Sequence, residues 1–451
     1  MKILLKAIIL TVPLLLGFQK TKAQTTQRTI VVMIDGFGED YYRKSSMPNL
    51  NKMEKEGIFK IVPSIMPAVT NVNNVAIATG ELPNKHGITG NVWMNPATGE
   101  EEFIEDPDMI VVPTIFDRAK ALGIKSALFS VKKKTVDIMG INTNSSLCPE
   151  CEGAEESVWA QKFGAPPGVY TKEVSYLIME SALYILKNNP EYGLVYIHTT
   201  DYPMHTWAPE KKDSQEFLHK IDDYIGKLHA TAPDAAILIT ADHGLNHKDL
   251  CWDLEKACAK RKTPIRISIS PEKDRYFKHH RGMGGSAYVY LKDAADLEKV
   301  KETLLSLKGV EAVLTKDEAI KKYSLMPERV GDLMVLGNKT TVFGQLAEAE
   351  SEKLAANYRS HGSLYECIVP LFVYNAKQAP SLISLIIIIN WLLGCIGNYL
   401  IINVLKKKAK HLLRLLYILG RFLHKPLIFK DSLIYFIYVS KQVVAAGTFC
   451  R

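Results

Sequence analysis

The chain carries almost no net charge outside its last 71 residues. Its 451 residues include 56 lysines and arginines and 48 aspartates and glutamates. The segment from Ser381 onward holds ten of these basic residues and one acidic residue, so the rest has 46 basic and 47 acidic residues. The basic balance therefore belongs to the tail and gives the body no electrostatic reason to bind nucleic acid. We expect no nucleic-acid polymer among its partners.

Cysteine is also scarce, and the body lacks internal repeats and low-complexity stretches. Four of the seven cysteines form two close pairs, Cys148 with Cys151 and Cys251 with Cys258. In an exported protein such pairs are typical of local disulfides, and half of a zinc site is the alternative for a Cys-x-x-Cys spacing. The pattern predicts no role for the other three, Cys367, Cys395 and Cys450.

Residues 1–23 have the pattern of a secretory signal peptide. A basic start, Met1 to Lys6, precedes an apolar run from Ala7 to Phe18, and small residues near Ala23 provide a cleavage site before Gln24. This predicts an exported, periplasmic protein whose mature chain begins near Gln24. An uncleaved membrane anchor is the alternative.

The tail, residues 378–451, admits two interpretations. Residues 381–405 contain no charge over 25 positions, which is long enough to cross a bilayer, and basic residues follow at 406–410. One interpretation is a membrane tether that leaves the body outside the cytoplasm. The other is a non-native extension, such as the product of a reading-frame artefact, because the composition changes abruptly after Pro380. The sequence leaves the oligomeric state open.

Short apolar runs alternate with amphipathic stretches through most of the body. The runs predict strands at 28–34, 61–65, 125–130, 193–198, 235–240 and 369–374, and the stretches predict helices at 48–56, 114–122, 173–187 and 214–229. This alternation is typical of an α/β fold, with a mostly parallel central sheet and helices on both faces.

The pattern changes between about residues 262 and 343. There, predicted strands at 287–291 and 312–314 flank a predicted helix at 296–307, which indicates a small α+β cap insertion. The α/β core then consists of residues 24–261 and 344–377.

Acidic residues and histidines follow three of the predicted parallel strands. The carboxyl ends of such strands border the crevice in which open α/β sheets bind ligands. Carboxylates and imidazoles are zinc ligands, and several carboxylates together in one crevice would be costly without a cation. The candidate metal ligands, including one from a later loop, are Asp35, Asp201, His205, Asp242, His243 and His361.

A separate stretch offers a nucleophile. Thr70 stands before a segment that can form a helix as far as Gly80. A helix N-terminus favours negative charge, so it suits an alkoxide that attacks phosphorus, although a simple N-cap is the plainer interpretation. Counted with Thr70, the candidate ligands divide into two metal sites. Two metals about 4 Å apart can hold the oxygens of an in-line displacement.

These motifs resemble those of the alkaline phosphatase superfamily. The similarity is to the branch with a threonine nucleophile, which contains nucleotide pyrophosphatases/phosphodiesterases and phosphonoacetate hydrolase. It extends over roughly residues 29–374, with the motifs in the family's order. The matching motifs are Asp35-Gly, Thr70-Asn-Val-Asn-Asn, Thr79-Gly80, His86-Gly-Ile-x-Gly-Asn91, Asp201-x-x-x-His205, Asp242-His243-Gly244 and Ser360-His361-Gly362.

The resemblance implies two Zn²⁺ ions and a phosphothreonine intermediate. One zinc would be held by Asp201, His205 and His361. The second would be held by Asp35, Asp242 and His243, with Thr70 facing it as nucleophile and metal contact. Asn91 would donate its amide to the phosphoryl oxygens, as the donors of an oxyanion hole do.

One segment points to the substrate. Residues 129–140 resemble the part of phosphonoacetate hydrolase in which two lysines, two positions apart, hold the substrate carboxylate, and Lys132 and Lys134 occupy those positions. Thr199–Tyr202, Leu245-Asn246 and His279-His280 are similar to the same branch. Cleavage of a P–C bond expels a carbanion, and two ammonium groups at the carboxylate would stabilise the transition state. A solvated basic turn is the alternative for the lysines.

The resemblance therefore implies hydrolysis of phosphonoacetate or a related phosphonate to acetate and phosphate. A signal peptide is not what a cytoplasmic phosphonate-degrading enzyme needs, so an exported phosphodiesterase or nucleotide pyrophosphatase is the alternative. A metal-dependent phosphomutase is a further alternative. Such an enzyme typically carries a serine nucleophile and a larger insertion, so Thr70 and the small insertion of this chain argue against it. A non-catalytic membrane-tethered binding protein would have an incomplete set of ligands.

Overall fold

The computed structural model describes residues 27–275 and 281–377. The predicted signal peptide, His279-His280, Cys395, Cys450 and the tail lie outside these residues. Within the described ranges, no helix has both the length and the apolar character that are required to cross a bilayer.

Strands and helices alternate through the described chain. The strands are β1 (Thr29–Met33), β2 (Ile58–Pro63), β3 (Val92–Met94), β4 (Glu101–Phe103), β5 (Lys125–Ser130), β6 (Ser145–Leu147), β7 (Tyr192–His198), β8 (Ala236–Thr240), β9 (Asn246–His247), β10 (Leu250–Trp252), β11 (Ile267–Ile269), β12 (Ser286–Tyr290), β13 (Val310–Thr315), β14 (Leu333–Gly337), β15 (Thr341–Phe343), β16 (Ser351–Lys353), β17 (Arg359–Ser360) and β18 (Ile368–Tyr374). The α-helices are α1 (Glu39–Lys44), α2 (Pro48–Glu56), α3 (Thr70–Thr79), α4 (Pro83–His86), α5 (Ile115–Ala121), α6 (Lys133–Met139), α7 (Val158–Phe163), α8 (Glu173–Asn188), α9 (Tyr202–Thr206), α10 (Lys212–Thr231), α11 (Leu254–Lys260), α12 (Leu297–Leu305) and α13 (Lys316–Tyr323).

A seven-stranded sheet in the order β2-β18-β8-β1-β7-β5-β6 forms the centre of the fold. β1 pairs in parallel with both β7 and β8, and β5 pairs in parallel with β7 and β6. β18 runs antiparallel to its neighbours β8 and β2. The predicted α/β class with a mostly parallel central sheet is confirmed.

The central strand shows why helices cover both faces of this sheet. Alternate residues of a strand point to opposite faces. In β1, Val32 packs into one hydrophobic cluster together with Ile178 of α8 and Ile221 of α10. Its neighbour Met33 packs into a second cluster, which includes Phe116 of α5. Both faces of β1 are buried, so its sequence is a continuous apolar run instead of an alternating one.

Strand β2 begins and ends earlier than the predicted strand at 61–65. It pairs residue by residue with β18, from Ile58 opposite Val373 to Pro63 opposite Ile368. Beyond Pro63, the Ile65 amide donates a hydrogen bond to the side chain of Asn73 at 2.7 Å instead of joining a strand. This bond directs the chain out of the sheet and into α3.

The insertion contains an antiparallel sheet in the order β11-β12-β14-β13, with α12 and α13 beside it. Tyr288 of β12 and Met334 of β14 belong to one hydrophobic cluster with Met66 and Ala68, which precede Thr70 in the core. The Tyr288 hydroxyl also donates to the Thr89 carbonyl at 3.0 Å. The insertion therefore packs against the segment that precedes the candidate nucleophile. Its bounds at 262 and 343 stay a prediction.

The two predicted disulfides have different outcomes. Cys148 and Cys151 form a disulfide, as predicted. The prediction for Cys251 and Cys258 is wrong, because both are free thiols. Cys251 lies in β10 and packs in a cluster with Met283, whereas Cys258 lies in α11 and packs in a different cluster. Burial raises the pKa of Cys251 to about 12 and that of Cys258 to about 11.

Candidate active site

The candidate ligands meet at the carboxyl edge of the central sheet. Asp35 follows β1, Asp201 follows β7 and Asp242 follows β8, and these three strands are neighbours in the sheet. Because the strands are parallel, their carboxyl ends open on the same crevice. His243 follows Asp242 directly, and His361 comes from the loop after β17. All five side chains are buried.

The first group consists of Asp201, His205 and His361, whose ligand atoms lie within 4.8 Å of one another. Asp201 Oδ2 is 3.0 Å from His205 Nε2 and 3.9 Å from His361 Nε2. His205 Nδ1 contacts the Arg359 carbonyl and His361 Nδ1 contacts the Ala68 carbonyl, each at 2.8 Å. A carbonyl can only accept, so both rings carry their proton on Nδ1. The neutral form of each ring presents the lone pair of Nε2 to the crevice, as metal-ligating histidines do.

The second group consists of Asp35, Asp242 and His243, again with ligand atoms within 4.8 Å. His243 Nε2 is 3.2 Å from Asp242 Oδ2 and 3.7 Å from Asp35 Oδ1, and its Nδ1 donates to the Gly244 carbonyl at 3.0 Å. Burial and the adjacent His361 lower the pKa of His243 well below its ordinary value. The His243 ring stacks on His361 with 3.6 Å between centroids, so the two groups adjoin.

These residues fit a pair of divalent cations. Asp35 Oδ1 and Asp242 Oδ2 are buried and accept no hydrogen bond from the described residues. Buried polar atoms are rarely left without a partner, and buried carboxylates are paired or bound to metal. The combination of carboxylate oxygens and imidazole nitrogens suits zinc.

Thr70 is the first residue of α3, and Val69 holds the N-cap position. The N-cap interpretation of Thr70 is therefore wrong, and its hydroxyl faces the crevice instead. Thr70 Oγ1 lies 3.2 Å from His243 Nε2 and 3.4 Å from Lys132 Nζ. The hydroxyl is thus placed beside both a candidate ligand and a buried cation.

Asn91 lies beside the start of α3. Its Oδ1 accepts a hydrogen bond from Asn71 Nδ2 at 2.8 Å, and its backbone amide donates to the Pro271 carbonyl at 2.8 Å. Since Asn71 holds the oxygen of the Asn91 amide, the Nδ2 group is the end left to donate. Nδ2 is 3.5 Å from the Glu272 carbonyl. Its predicted contact with phosphoryl oxygens stays a prediction.

Lys132 and Lys134 are buried, unlike the lysines of a solvated turn. Lys132 and Lys134 are 4% and 3% exposed, so the solvated-turn interpretation is wrong. Lys132 Nζ lies 2.7 Å from Asp35 Oδ2 and 3.0 Å from Asp201 Oδ1, between the two ligand groups. Burial acts to lower the pKa of Lys132, but these carboxylates outweigh it and raise the pKa well above its ordinary value.

Lys134 contacts a residue of the insertion. Its Nζ lies 2.7 Å from Asp274 Oδ2, and both side chains are buried. The lysine that lies between the two, Lys133, is partly exposed and pairs with Asp137. Lys134 is thus already next to a carboxylate, and its predicted role in substrate binding stays a prediction.

His198 is a residue of the candidate site that the sequence reasoning missed, because it was placed only as the end of a strand. Its Nδ1 is 3.1 Å from Asn74 Nδ2, which can only donate, so the ring proton lies on Nε2. His198 Nε2 therefore donates to Asp35 Oδ2 at 3.0 Å. Ser130 Oγ is also 2.9 Å from Nδ1. The available signal was a histidine at the end of a largely apolar strand, directly before the Thr199-Thr-Asp201 motif.

Arg359 and Glu272 were missed as well. The buried Arg359 guanidinium donates to the carbonyls of Met204 and Leu245 and to the hydroxyl of Tyr41, so it ties together the loops that carry the ligands. Glu272 of the insertion places Oε1 3.1 Å from His361 Nε2. Burial acts to lower the pKa of His361, but Glu272 outweighs it, and the pKa rises to about 9. Neither residue belongs to a strand-end motif.

Comparison with curated proteins identifies relatives of this chain. An uncharacterised pyrophosphatase/phosphodiesterase of Schizosaccharomyces pombe is 23% identical over 249 residues, which are 53% of this chain and 49% of the relative. Bis(5'-adenosyl)-triphosphatase of Mus musculus is 23% identical over 282 residues, which are 58% of each chain. The chain therefore spans about half the length of these curated relatives.

Solved structures show the same fold. The phosphonoacetate hydrolase of Sinorhizobium meliloti, in complex with phosphonoacetate, has a TM-score of 0.71 and 27% identity, covering 82% of this chain and 96% of that one. Murine ectonucleotide pyrophosphatase/phosphodiesterase 5 has a TM-score of 0.56 and 16% identity, covering 77% and 87%, which is a likeness of fold alone.

The family model for type I phosphodiesterases and nucleotide pyrophosphatases matches residues 29–364. This range contains both ligand groups, Thr70 and the insertion. The chain thus belongs to the type I phosphodiesterase/nucleotide pyrophosphatase family of the alkaline phosphatase superfamily.

Proposed function

We propose that the protein is a di-zinc hydrolase that cleaves the phosphorus–carbon bond of phosphonoacetate or a related phosphonate. The products are acetate and phosphate. The observation that carries the proposal is the buried Lys132, whose Nζ lies between the two ligand groups and 3.4 Å from Thr70 Oγ1. An ammonium group in that place supplies a positive charge beside the point at which Thr70 attacks phosphorus, and the proposal places the substrate carboxylate against it.

The residues have the following roles in the proposed reaction. Thr70 gives up its hydroxyl proton to solvent, and its Oγ forms a bond to phosphorus while the P–C bond breaks, with the electron pair staying on the acetate fragment. Lys132 stabilises this charge as it spreads into the carboxylate, and a proton from solvent completes acetate. Asn91 Nδ2 donates to the phosphoryl oxygens. Water then cleaves the phosphothreonine, which releases phosphate and restores the Thr70 hydroxyl.

The metal positions account for the charge of the site. Asp201, His205 and His361 would hold one zinc, and Asp35, Asp242 and His243 would hold the other, with Thr70 beside it. When bound, zinc neutralises the carboxylates and polarises the phosphoryl oxygens. Metal ions held by Asp35 and Asp201 would share the charge of these carboxylates with Lys132, so its ammonium group would be able to contact the substrate while it keeps its contact with Asp35.

Kinetic assays with two substrates test this proposal. Lys132→Ala should lower kcat/KM for phosphonoacetate by about 10²- to 10³-fold, which is the effect of removing one preorganised charge-stabilising group. Its effect on a nitrophenyl nucleotide ester should be less than about tenfold, because that leaving group does not develop charge on carbon. Lys133→Ala in the same turn is the matched control and should change neither rate.

An exported phosphodiesterase or nucleotide pyrophosphatase is the second candidate. It is favoured by the Lys134–Asp274 pair, because the resemblance to phosphonoacetate hydrolase implies two lysines at the substrate carboxylate, whereas Lys134 Nζ contacts Asp274 and Lys132 Nζ contacts the ligand groups. In that case the wild type should prefer the nucleotide ester, and Lys132→Ala should impair both substrates equally.

We also propose export to the periplasm, on the basis of the N-terminal sequence pattern. The Cys148–Cys151 disulfide supports an oxidising compartment, because structural disulfides are rare in the cytosol. A tether through residues 381–405 is part of this proposal. Cell fractionation that recovers the protein in the cytosol would contradict it.

A further inference from the structure

The turn after β6 lies beside the segment that carries Lys132. β6 pairs in parallel with β5, and Leu147 of β6 is opposite Phe129 of β5. Because parallel strands end at the same edge of a sheet, the turn after β6 and the segment after β5 leave that edge side by side. The turn contains Glu150, and the segment contains Lys132.

Lys132 occupies the N-cap of α6, where the helix needs an acceptor. Its backbone is extended, and its side chain caps no amide of the helix. A lysine side chain has no acceptor atom, so the amides of the first turn must find one elsewhere. Glu150 supplies it, because its Oε2 accepts a hydrogen bond from the Lys133 amide at 2.7 Å. The residue directly after Lys132 is therefore held by a side chain from the neighbouring turn.

A second hydrogen bond holds Lys132 itself. Its backbone amide donates to Ser130 Oγ at 3.1 Å. Two successive amides, those of residues 132 and 133, are thus held by side chains. The Lys132 side chain extends from this fixed backbone to Asp35 and Asp201, so the place of its ammonium group depends on both hydrogen bonds.

The Cys148–Cys151 disulfide encloses Glu150 in a short turn. The Cys151 amide also donates to the Cys148 carbonyl at 3.1 Å. A crosslink over so short a segment restricts the backbone conformations that are open to Glu150. Cys148 is buried directly after β6, so the crosslinked turn is anchored at the edge of the sheet.

Charge also couples Glu150 to the lysines of this segment. Burial raises the pKa of Glu150 above its ordinary value, whereas the Lys133 amide and the charges of Lys132 and Lys134 act to lower it. The carboxylate is therefore close enough to both ammonium groups to interact with them.

We propose that Glu150 is a positioning residue for Lys132 and that the Cys148–Cys151 disulfide holds Glu150 in place. Glu150 acts through the backbone of residues 132 and 133 and not through contact with the substrate. The inference rests on the role of Lys132 in the proposed function, and it adds a residue and a disulfide of the turn after β6 to that function. Full activity on the phosphonate then requires the intact disulfide.

Kinetics of single and double variants test the proposal. Glu150→Ala should lower kcat/KM for phosphonoacetate by about 10- to 100-fold, which is the effect of misplacing a group that contacts the substrate. Its effect on the nitrophenyl nucleotide ester should be no larger than that of Lys132→Ala. Glu150→Ala added to Lys132→Ala should cause little further loss, because the group that Glu150 positions is then already absent.

Three more variants separate the acceptor, the crosslink and the surface charge. Glu150→Gln keeps an oxygen that can accept from the Lys133 amide, so its rates should be closer to wild type than those of Glu150→Ala. The double variant Cys148→Ser and Cys151→Ser should show the same selective loss as Glu150→Ala, and it avoids a thiol reductant, which would itself bind zinc. Glu152→Ala, at an exposed carboxylate just beyond the crosslink, is the matched control and should change neither rate.

Several results would overturn the inference. One is an equal loss on both substrates in Glu150→Ala, which is what loss of metal or of the fold would give. Another is a loss in Glu150→Ala that adds fully to that of Lys132→Ala. Wild-type rates in the double cysteine variant would refute the role of the disulfide. If Lys132→Ala itself impairs both substrates equally, the proposed function fails, whereas a selective loss in Lys132→Ala with wild-type rates in Glu150→Ala refutes the inference alone.

Discussion

Replacing His198 should lower the metal affinity of the position that contains Asp35 and leave the affinity of the other position unchanged. His198 Nε2 donates to Asp35 Oδ2 at 3.0 Å, and this bond orients the carboxylate so that Oδ1 faces His243. Loss of such a supporting hydrogen bond typically costs 10- to 100-fold in metal affinity. Lys132 Nζ also holds Asp35 Oδ2, at 2.7 Å, so the carboxylate keeps one partner. We therefore expect a loss near the lower end, about tenfold or 1.4 kcal/mol.

The assay is chelator competition on wild type, His198→Leu and His198→Gln. A glutamine amide can still donate to Asp35, so His198→Gln should keep more affinity than His198→Leu. His86→Gln is the control for burial, since His86 is equally buried and accepts a hydrogen bond from the Ile88 amide. Equal losses at both metal positions, or none in His198→Leu, would refute the argument that His198 acts through Asp35.

Three further predictions concern stability. Lys248 and Glu366 form a fully buried ion pair at 2.9 Å, so Lys248→Met should lower the free energy of unfolding in urea by about 3–5 kcal/mol, whereas Lys133→Met at a partly exposed pair should cost about 1 kcal/mol or less. Burial acts to raise the pKa of Glu366, but Lys248 and hydrogen bonds outweigh it and lower the pKa below 4.5. The contribution of Glu366 to the free energy of unfolding is therefore present above pH 4.5, and it is lost as the pH falls through the lower pKa that Glu366 has in the folded protein. Acid titration of wild type and Lys248→Met should show a smaller loss of stability in the variant. Reduction of Cys148–Cys151, which closes a very short loop, should cost about 2 kcal/mol in the same urea assay, and an unchanged midpoint would contradict this.

The core and its crevice could be predicted because their signals are local. Buried parallel strands are continuous apolar runs, and a residue such as Asp35 or Asp242 directly after such a run must stand at the carboxyl edge of the sheet. Once β1, β7 and β8 are neighbours, the ligands they carry come together without further information. The convergence of Asp35, Asp201 and Asp242 follows from this rule.

The contacts made by the insertion could not be predicted in this way. Glu272 and Asp274 lie in a turn without periodicity, and their partners, His361 and Lys134, are distant in the chain. No local pattern shows which carboxylate will meet a given lysine or histidine across a domain contact. Sequence reasoning therefore treated Lys134 as a cation available to the substrate, whereas the structure pairs it with Asp274.

The cysteine pairs illustrate the same limit. Cys148 and Cys151 lie within one turn, so their spacing alone allows a disulfide. Cys251 lies in β10 and Cys258 in α11, and the change of direction between strand and helix takes the two thiols into different clusters. Proximity in sequence carries no information about that change of direction.

Metal content and turnover of Thr70→Ala test the central claim most directly. Thr70 is the proposed nucleophile beside two metal positions, so the variant should bind two zinc ions per chain and show no turnover of phosphonoacetate. Wild type quenched in acid during turnover should carry a phosphoryl group on the peptide that contains Thr70. A Thr70→Ala protein that still turns over substrate, or that loses both zinc ions, would contradict the account.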